Sequence, residues 1–199
     1  MKVKVCGITR IEDADYAIKK GADLLGVILD PEVGRHGSRE LIKEIKMEHP
    51  FFPVAGVYTS MPESAGDEDY IQLHFNHSGD DIITVKNKLN KKIISVIDFH
   101  EGNIAGKIHS HIDSGADIIL LEDRAGIINR RRELEEFPAD KIGIAGKIDS
   151  SNVQSLLSIN PYLVDVSSSL EEYTGKKSFA KIDEFFNKIG EYYAARQNQ

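Results

Sequence analysis

Apolar positions along this chain come in short runs of four to seven residues, spaced by polar stretches that carry helix signals. Lys2 to Cys6 alternates, with Val3 and Val5 apolar, and predicts a first strand. Thr9-Arg10-Ile11-Glu12 has the spacing of a capping box, with Thr9 as N-cap and Glu12 reaching back, and predicts a helix to about Lys20 that stops at Gly21. Asp23 to Leu29 is a nearly continuous apolar run, the pattern of a strand covered on both faces. Ser38 is placed to cap a helix over Leu41, Ile42 and Ile45. Further strands are predicted over Phe52–Tyr58, Tyr70–Leu73, Ile93–Ile97, Asp117–Leu121, Ile142–Ala145 and Tyr162–Val166. The last helix shows a single stripe at Phe179, Ile182, Phe186, Ile189 and Tyr193.

Strands that alternate with helices imply an all-parallel sheet. Eight such units imply an α/β fold of one domain over residues 1–199, a compact (β/α)8 TIM barrel near the small end of its range. An open doubly wound sheet is the other arrangement with this alternation. Thr59 to Asp69 leaves room for one or two turns, so the third helix is expected to be short or irregular. Gly21-Ala22-Asp23-Leu24-Leu25 recurs as Gly115-Ala116-Asp117-Ile118-Ile119, each a helix stop feeding a buried strand. There is no G-x-G-x-x-G and no Walker A pattern, so dinucleotide and P-loop binding are not supported.

Composition narrows the classes. With 41% apolar residues the chain can bury a core, and no run approaches a membrane span. Its first residues carry lysines within the only apolar stretch and no signal-type segment, so a cytoplasmic location is expected. One cysteine rules out an intrachain disulfide framework and a cysteine-based structural zinc site. The net charge of −7 argues against nucleic acid as a general partner while leaving room for a local phosphate pocket. His74 with His77, and His109 with His111, lack a third ligand at metal spacing, so no metal is expected.

In a barrel the chemistry sits where strands end at their C-termini. Those ends supply Cys6-Gly7, Arg35, Gln72-Leu73-His74, Asp98, Glu122-Asp123-Arg124, Gly146-Lys147 and Asp165-Val166-Ser167-Ser168-Ser169. Taken singly each has a plain structural reading. Cys6 is a small buried hydrophobe, His74 a satisfied barrel histidine, Glu122 and Asp123 partners for Arg124, and Arg130 to Arg132 a solvated helix start. The last two strands commonly build a phosphate site from backbone amides, which suits Gly146 and the serine run.

Read together and in order, these segments resemble the phosphoribosylanthranilate isomerase family of tryptophan biosynthesis. The resemblance rests on Lys4-Val5-Cys6-Gly7-Ile8-Thr9, Gly21 to Val27, Arg35-His36-Gly37-Ser38, Gln72-Leu73-His74, Ala145-Gly146-Lys147-Ile148 with Asn152-Val153, Asp165 to Glu171 and Thr174-Gly175-Lys176-Lys177. It spans nearly the whole chain. It implies an Amadori rearrangement of N-(5-phosphoribosyl)anthranilate, a small phosphosugar, to 1-(2-carboxyphenylamino)-1-deoxyribulose 5-phosphate. No cofactor is implied, because the imine intermediate is itself the electron sink. By the same resemblance Cys6 is the general base, and a site that lowers its pKa is expected. Arg35 holds the anthranilate carboxylate. Gly146, Lys147, Ser168 and Ser169 hold the phosphate, and Gly7, His74 and Asp165 belong to the substrate pocket. A monomer or homodimer is expected, with no nucleic-acid or membrane partner.

The sequence departs from the family pattern at three places. The acid of the family is an aspartate after strand six. Strict register puts Glu122 there and Asp123 one residue later, so strand parity favours Glu122 while residue type favours Asp123. The glycine-rich segment that follows is replaced by Ala125 to Arg132. Lys147, Ser169 and Phe75 stand where the family has glycine. A diverged, non-catalytic barrel that binds a phosphosugar or a partner is the second reading these departures leave open.

Overall fold

A computed structural model describes residues 1–137 and 140–197. Eight parallel strands close into a barrel in sequence order. They are β1 (Lys2–Cys6), β2 (Leu24–Ile28), β3 (Val54–Tyr58), β4 (Tyr70–Leu73), β5 (Lys92–Asp98), β6 (Ile118–Glu122), β7 (Ile142–Ala145) and β8 (Leu163–Val166). Each agrees with its predicted strand to within one or two residues. Outside them lie α1 (Ile11–Lys20), α2 (Arg39–Glu48), α3 (Gly79–Leu89), α4 (Ile104–Asp113), the short α5 (Arg131–Leu134) and α6 (Val153–Leu157), and α7 (Phe179–Gln197). A hairpin of β9 (Glu171–Tyr173) and β10 (Lys176–Lys177) precedes α7.

Strand parity divides the side chains into two cores. Val3, Val5, Leu25, Val27, Ile93, Ile119 and Leu121 point outward and pack under the helices. Leu24, Ala55, Ile94, Val96, Ile118, Leu120, Ala145 and Leu163 point inward and fill the barrel floor. Above that plug, Cys6, Ile28 and Val57 form a smaller layer that floors the mouth. Chemistry at the strand ends therefore rests on a packed base.

The repeated Gly-Ala-Asp has a physical cause. Gly21 and Gly115 end α1 and α4 with φ of 110° and 94°, a conformation glycine takes without strain. The aspartate two residues on then accepts a hydrogen bond from the neighbouring strand: Val3 N–H to Asp23 at 2.8 Å and Ile93 N–H to Asp117 at 2.9 Å. Asp69, in a different sequence context, does the same for Val54 N–H at 2.9 Å.

Two predicted details are corrected. Thr9 does not cap α1. The N-cap is Arg10 with no side-chain cap bond, and the Thr9 hydroxyl instead donates to Gly175 O, tying β1 to the β9–β10 hairpin. Ser38 does cap α2, accepting from Leu41 N–H at 3.1 Å. Residues 59–69 contain no helix at all. A polar staple holds them instead: buried Glu68 accepts from Tyr58 Oη at 2.6 Å and Gly66 N–H at 2.8 Å, and Arg39 donates to Ser64 O at 2.8 Å. The α7 stripe runs through Ile182, Phe185 and Ile189. Phe185 is fully buried, whereas Tyr193 is exposed and Phe179 lies on the rim, stacked on Tyr16 at 3.9 Å.

Candidate active site at the barrel mouth

A cavity of about 510 Å³ opens at the C-terminal ends of the strands. Cys6, Arg35, Gln72, His74, Glu122, Arg124, Lys147, Asp165 and the run Ser167–Ser169 line it. Gly7 does not; it sits behind the wall. Its φ is +71°, and a Cβ there would stand 2.7 Å from Arg35 Cδ and 3.0 Å from Ser167 Oγ. A bare backbone at this point lets Arg35 lie across the end of β1.

Arg35 is oriented from below. Its Nε donates to Glu171 Oε1 at 3.0 Å and its Nη2 to Oε2 at 3.4 Å, a fork-on-carboxylate arrangement. Glu171 also receives Lys177 Nζ at 3.4 Å. One nitrogen of the guanidinium, Nη1, takes no part in this clamp.

Strand parity settles where the two carboxylates after strand six go. Glu122 points inward and lines the cavity, with Oε2 3.4 Å from both His74 Nε2 and Arg124 Nε. Asp123 points outward. It is buried beneath the β6–β7 connection, accepting from Arg130 Nε at 2.8 Å and from Ala125 N–H at 2.8 Å. Burial alone would raise the Glu122 carboxyl, but His74 and Arg124 outweigh it and hold it below the ordinary range.

At β1, Cys6 is buried, and burial pushes its thiol above the ordinary value against the pull of Lys4. Asp165 pushes the same way as burial and Lys177 pulls down. The thiol is therefore raised rather than depressed as expected; loss of hydration wins. Asp165 lines the cavity, yet its Oδ2 is held by Lys4 Nζ at 2.8 Å. Its Oδ1, like Gln72 Oε1, is buried with no hydrogen-bond partner among the described residues.

The opposite rim is built by β7 and β8. A Cβ at Gly146 would lie 2.0 Å from Asp123 O, so only glycine fits. Lys147 adopts φ of +50°, its carbonyl accepting from Asn152 Nδ2 at 2.8 Å. Its ammonium has no partner among the described residues and stands at the rim. Ser169 Oγ donates to Ile148 O and Ser167 Oγ to Cys6 O at 3.1 Å, so these hydroxyls knit the loops together. Gly146, Lys147 and Ser167–Ser169 line this side of the cavity.

The segment Ala125 to Arg132 is not draped over the mouth. It folds into a 3-10 turn at Ile127–Arg130 and the start of α5, with Ile127 fully buried. Sequence reasoning placed Gln72 and Arg124 at the strand ends without a role, and missed Lys4, Glu171 and Lys177 as supports of this site. Lys4 was readable, since it shares strand parity with Cys6. The histidines weighed for metal separate: His77 and His111 meet over Ser95 outside the barrel, and His109 is exposed. Among the described residues, the side chains close enough to share an ion are Asp15, Glu48 and His49, on the outer surface of α1 and α2.

A closed parallel barrel whose mouth gathers a cysteine, a carboxylate, a clamped arginine and the β7 and β8 loops has the build of a barrel enzyme with its site at the strand ends. Comparison with known proteins narrows the class. The family model for N-(5′-phosphoribosyl)anthranilate isomerase matches residues 3–188. The isomerase of that name from Thermoplasma volcanium is 40% identical over 192 residues, covering 95% of this chain and 96% of its own. That from Methanocaldococcus jannaschii is 31% identical, covering 95% and 96%. The solved isomerase from Pyrococcus furiosus superposes with a TM-score of 0.74 at 28% identity, covering 96% and 99%. The chain belongs to the N-(5′-phosphoribosyl)anthranilate isomerase family. Among the described residues no helix is long and apolar enough to cross a membrane.

Proposed function

We propose that this chain isomerises N-(5-phosphoribosyl)anthranilate to 1-(2-carboxyphenylamino)-1-deoxyribulose 5-phosphate, with Glu122 as general acid and Cys6 as general base. The observation that carries this reading is that Cys6, Arg35 and Glu122 share one cavity while Asp123 is turned out of it. Glu122 protonates the ring oxygen, and the lone pair of the aryl nitrogen forms a C1=N bond as the C1–O bond breaks, leaving an open-chain protonated imine. Cys6 thiolate removes the C2 proton, and the electron pair moves into the imine to give an enolamine. Tautomerisation gives the ketone. The imine takes up the electrons, so the chemistry calls for no metal and no redox cofactor.

Arg35 suits the anthranilate carboxylate: Glu171 fixes its plane and leaves a face of the guanidinium toward the cavity. The phosphate suits the Gly146–Lys147 and Ser167–Ser169 loops, which line one side of the cavity and carry the Lys147 ammonium. The binding-only reading has no observation that favours it, whereas Cys6 and Glu122 lining one cavity with Arg35 and Lys147 supports the catalytic one. The direct test is loss of the anthranilate-type fluorescence of freshly made substrate. Wild type should turn over, and Cys6→Ser should be slower by about 10²–10⁴-fold. Folded wild-type protein without turnover would sink the proposal.

A further inference from the structure

Lys4 is a lysine on the inside of a barrel. Parity on β1 sends it inward with Cys6, and it is fully buried. An ammonium placed there is costly unless paired. The pairing is built into the sheet: β1 and β8 run in register with Lys4 opposite Asp165, and Lys4 Nζ lies 2.8 Å from Asp165 Oδ2. The other neighbour of β1 makes room. Gly26 of β2 is opposite Cys6, and a Cβ there would stand 2.7 Å from Cys6 Sγ and 2.9 Å from Lys4 Nζ. Both groups thus crowd onto the one glycine face of β2, side by side.

Stability does not account for this arrangement. An apolar pair of like volume would fill a barrel floor at least as well, since buried ion pairs are often no better than hydrophobic replacements. What an apolar pair would lack is a positive charge on the thiol. Burial alone would pull Lys4 toward its neutral form, but Asp165 and Cys6 together hold it above the ordinary lysine value, so it stays an ammonium. Lys177, from β10, is the second cation that reaches Cys6, but burial pulls it down and Glu171 and Ser167 O already take its hydrogen bonds.

We infer that Lys4 is a positioning residue for Cys6: anchored on Asp165, its ammonium stands against Sγ and holds the thiolate in a barrel interior that otherwise favours the thiol. Asp165 has two opposed parts in this. It fixes the ammonium in place, and its own charge works against the thiolate. The inference deepens the isomerase reading and rests on it for its purpose, but its test does not need turnover.

Cys6 is the single cysteine of the chain, so iodoacetamide alkylation of the full-length protein reports it alone. The rate of alkylation against pH gives the midpoint of thiolate formation. Lys4→Met should raise that midpoint by about one to three pH units, and Lys4→Arg should restore most of the shift. Lys4→Gln, which keeps a polar head and removes the charge, should raise the midpoint as Lys4→Met does. Circular dichroism identifies any variant that does not fold, and if Lys4→Met is lost on that ground Lys4→Gln decides. A midpoint equal to wild type in folded Lys4→Met, or in folded Lys4→Gln, would overturn the inference. A wild type that alkylates as expected yet turns over no substrate would instead overturn the proposed function and leave this one standing.

Discussion

Glu122 Oε2 and His74 Nε2 face each other at 3.4 Å across the barrel mouth, one from β6 and the other just beyond the end of β4. With Arg124 on its other side, Glu122 is held as a carboxylate below the ordinary range, while burial holds Cys6 as a thiol above it. Catalysis needs the reverse of both. The reactive form is then a small, constant fraction between the two pKa values, and kcat/KM falls below the Glu122 value and above the Cys6 value. The acid limb of the profile therefore reports Glu122. Arg124→Ala removes one of the charges holding it down and should move that limb to higher pH, with the alkaline limb unmoved. An acid limb that stays in place would show that Glu122 is not the group titrating there.

Lys147 combines a strained backbone with an unpaired charge. Glycine at this position relieves a left-handed φ of +50°, worth about 1 kcal/mol, and removes an ammonium from the phosphate rim. Lys147→Gly should raise the melting temperature while raising KM about fivefold, with kcat little changed. Thermal denaturation and steady-state kinetics on one preparation read both signs. A lower KM would show that the lysine obstructs the phosphate rather than holding it.

His77 and His111 share Ser95 Oγ, at 2.9 Å and 2.7 Å, behind β5 and under α3 and α4. Burial lowers His111 from 6.5 to about 4 and pulls His77 down as well. Asp81, Glu101 and Lys107 are the charged groups around them. The unfolded chain then binds more protons than the folded one below the unfolded value of 6.5. This part of the stability is complete above that value and is lost as pH falls toward 4. Melting temperature should drop on acidification across this window, and His111→Gln should flatten the slope. An unchanged slope in the variant would place the acid sensitivity elsewhere.

The barrel was legible because its strands are buried on both faces and read as apolar runs, and because Gly21 and Gly115 punctuate them. The choice of Glu122 over Asp123 as the pocket carboxylate was legible from strand parity alone. Other features depended on contacts between distant segments. Thr9 looked like a helix cap, but the Gly175 carbonyl is a competing partner 166 residues away. Residues 59–69 lack a helix because Glu68 and Arg39 satisfy the backbone there instead. Lys177 and Glu171 enter the site only through a hairpin that β8 launches beneath Arg35. The low pKa expected for Cys6 followed from its role as a base, which needs a thiolate, and the burial that outweighs it is set by packing the sequence does not display.

The central claim is that the inward carboxylate of the Glu122-Asp123 pair is the acid and the outward one is structural. It is tested most directly by measuring substrate turnover and thermal stability of Glu122→Gln beside Asp123→Asn. Glu122→Gln should fold with near wild-type stability and lose about 10²–10⁴-fold in kcat. Asp123→Asn should lose about 1–3 kcal/mol of stability through its weakened bond to Arg130 and keep most of its activity. The opposite pattern, an active Glu122→Gln and a stable but inactive Asp123→Asn, would contradict the account.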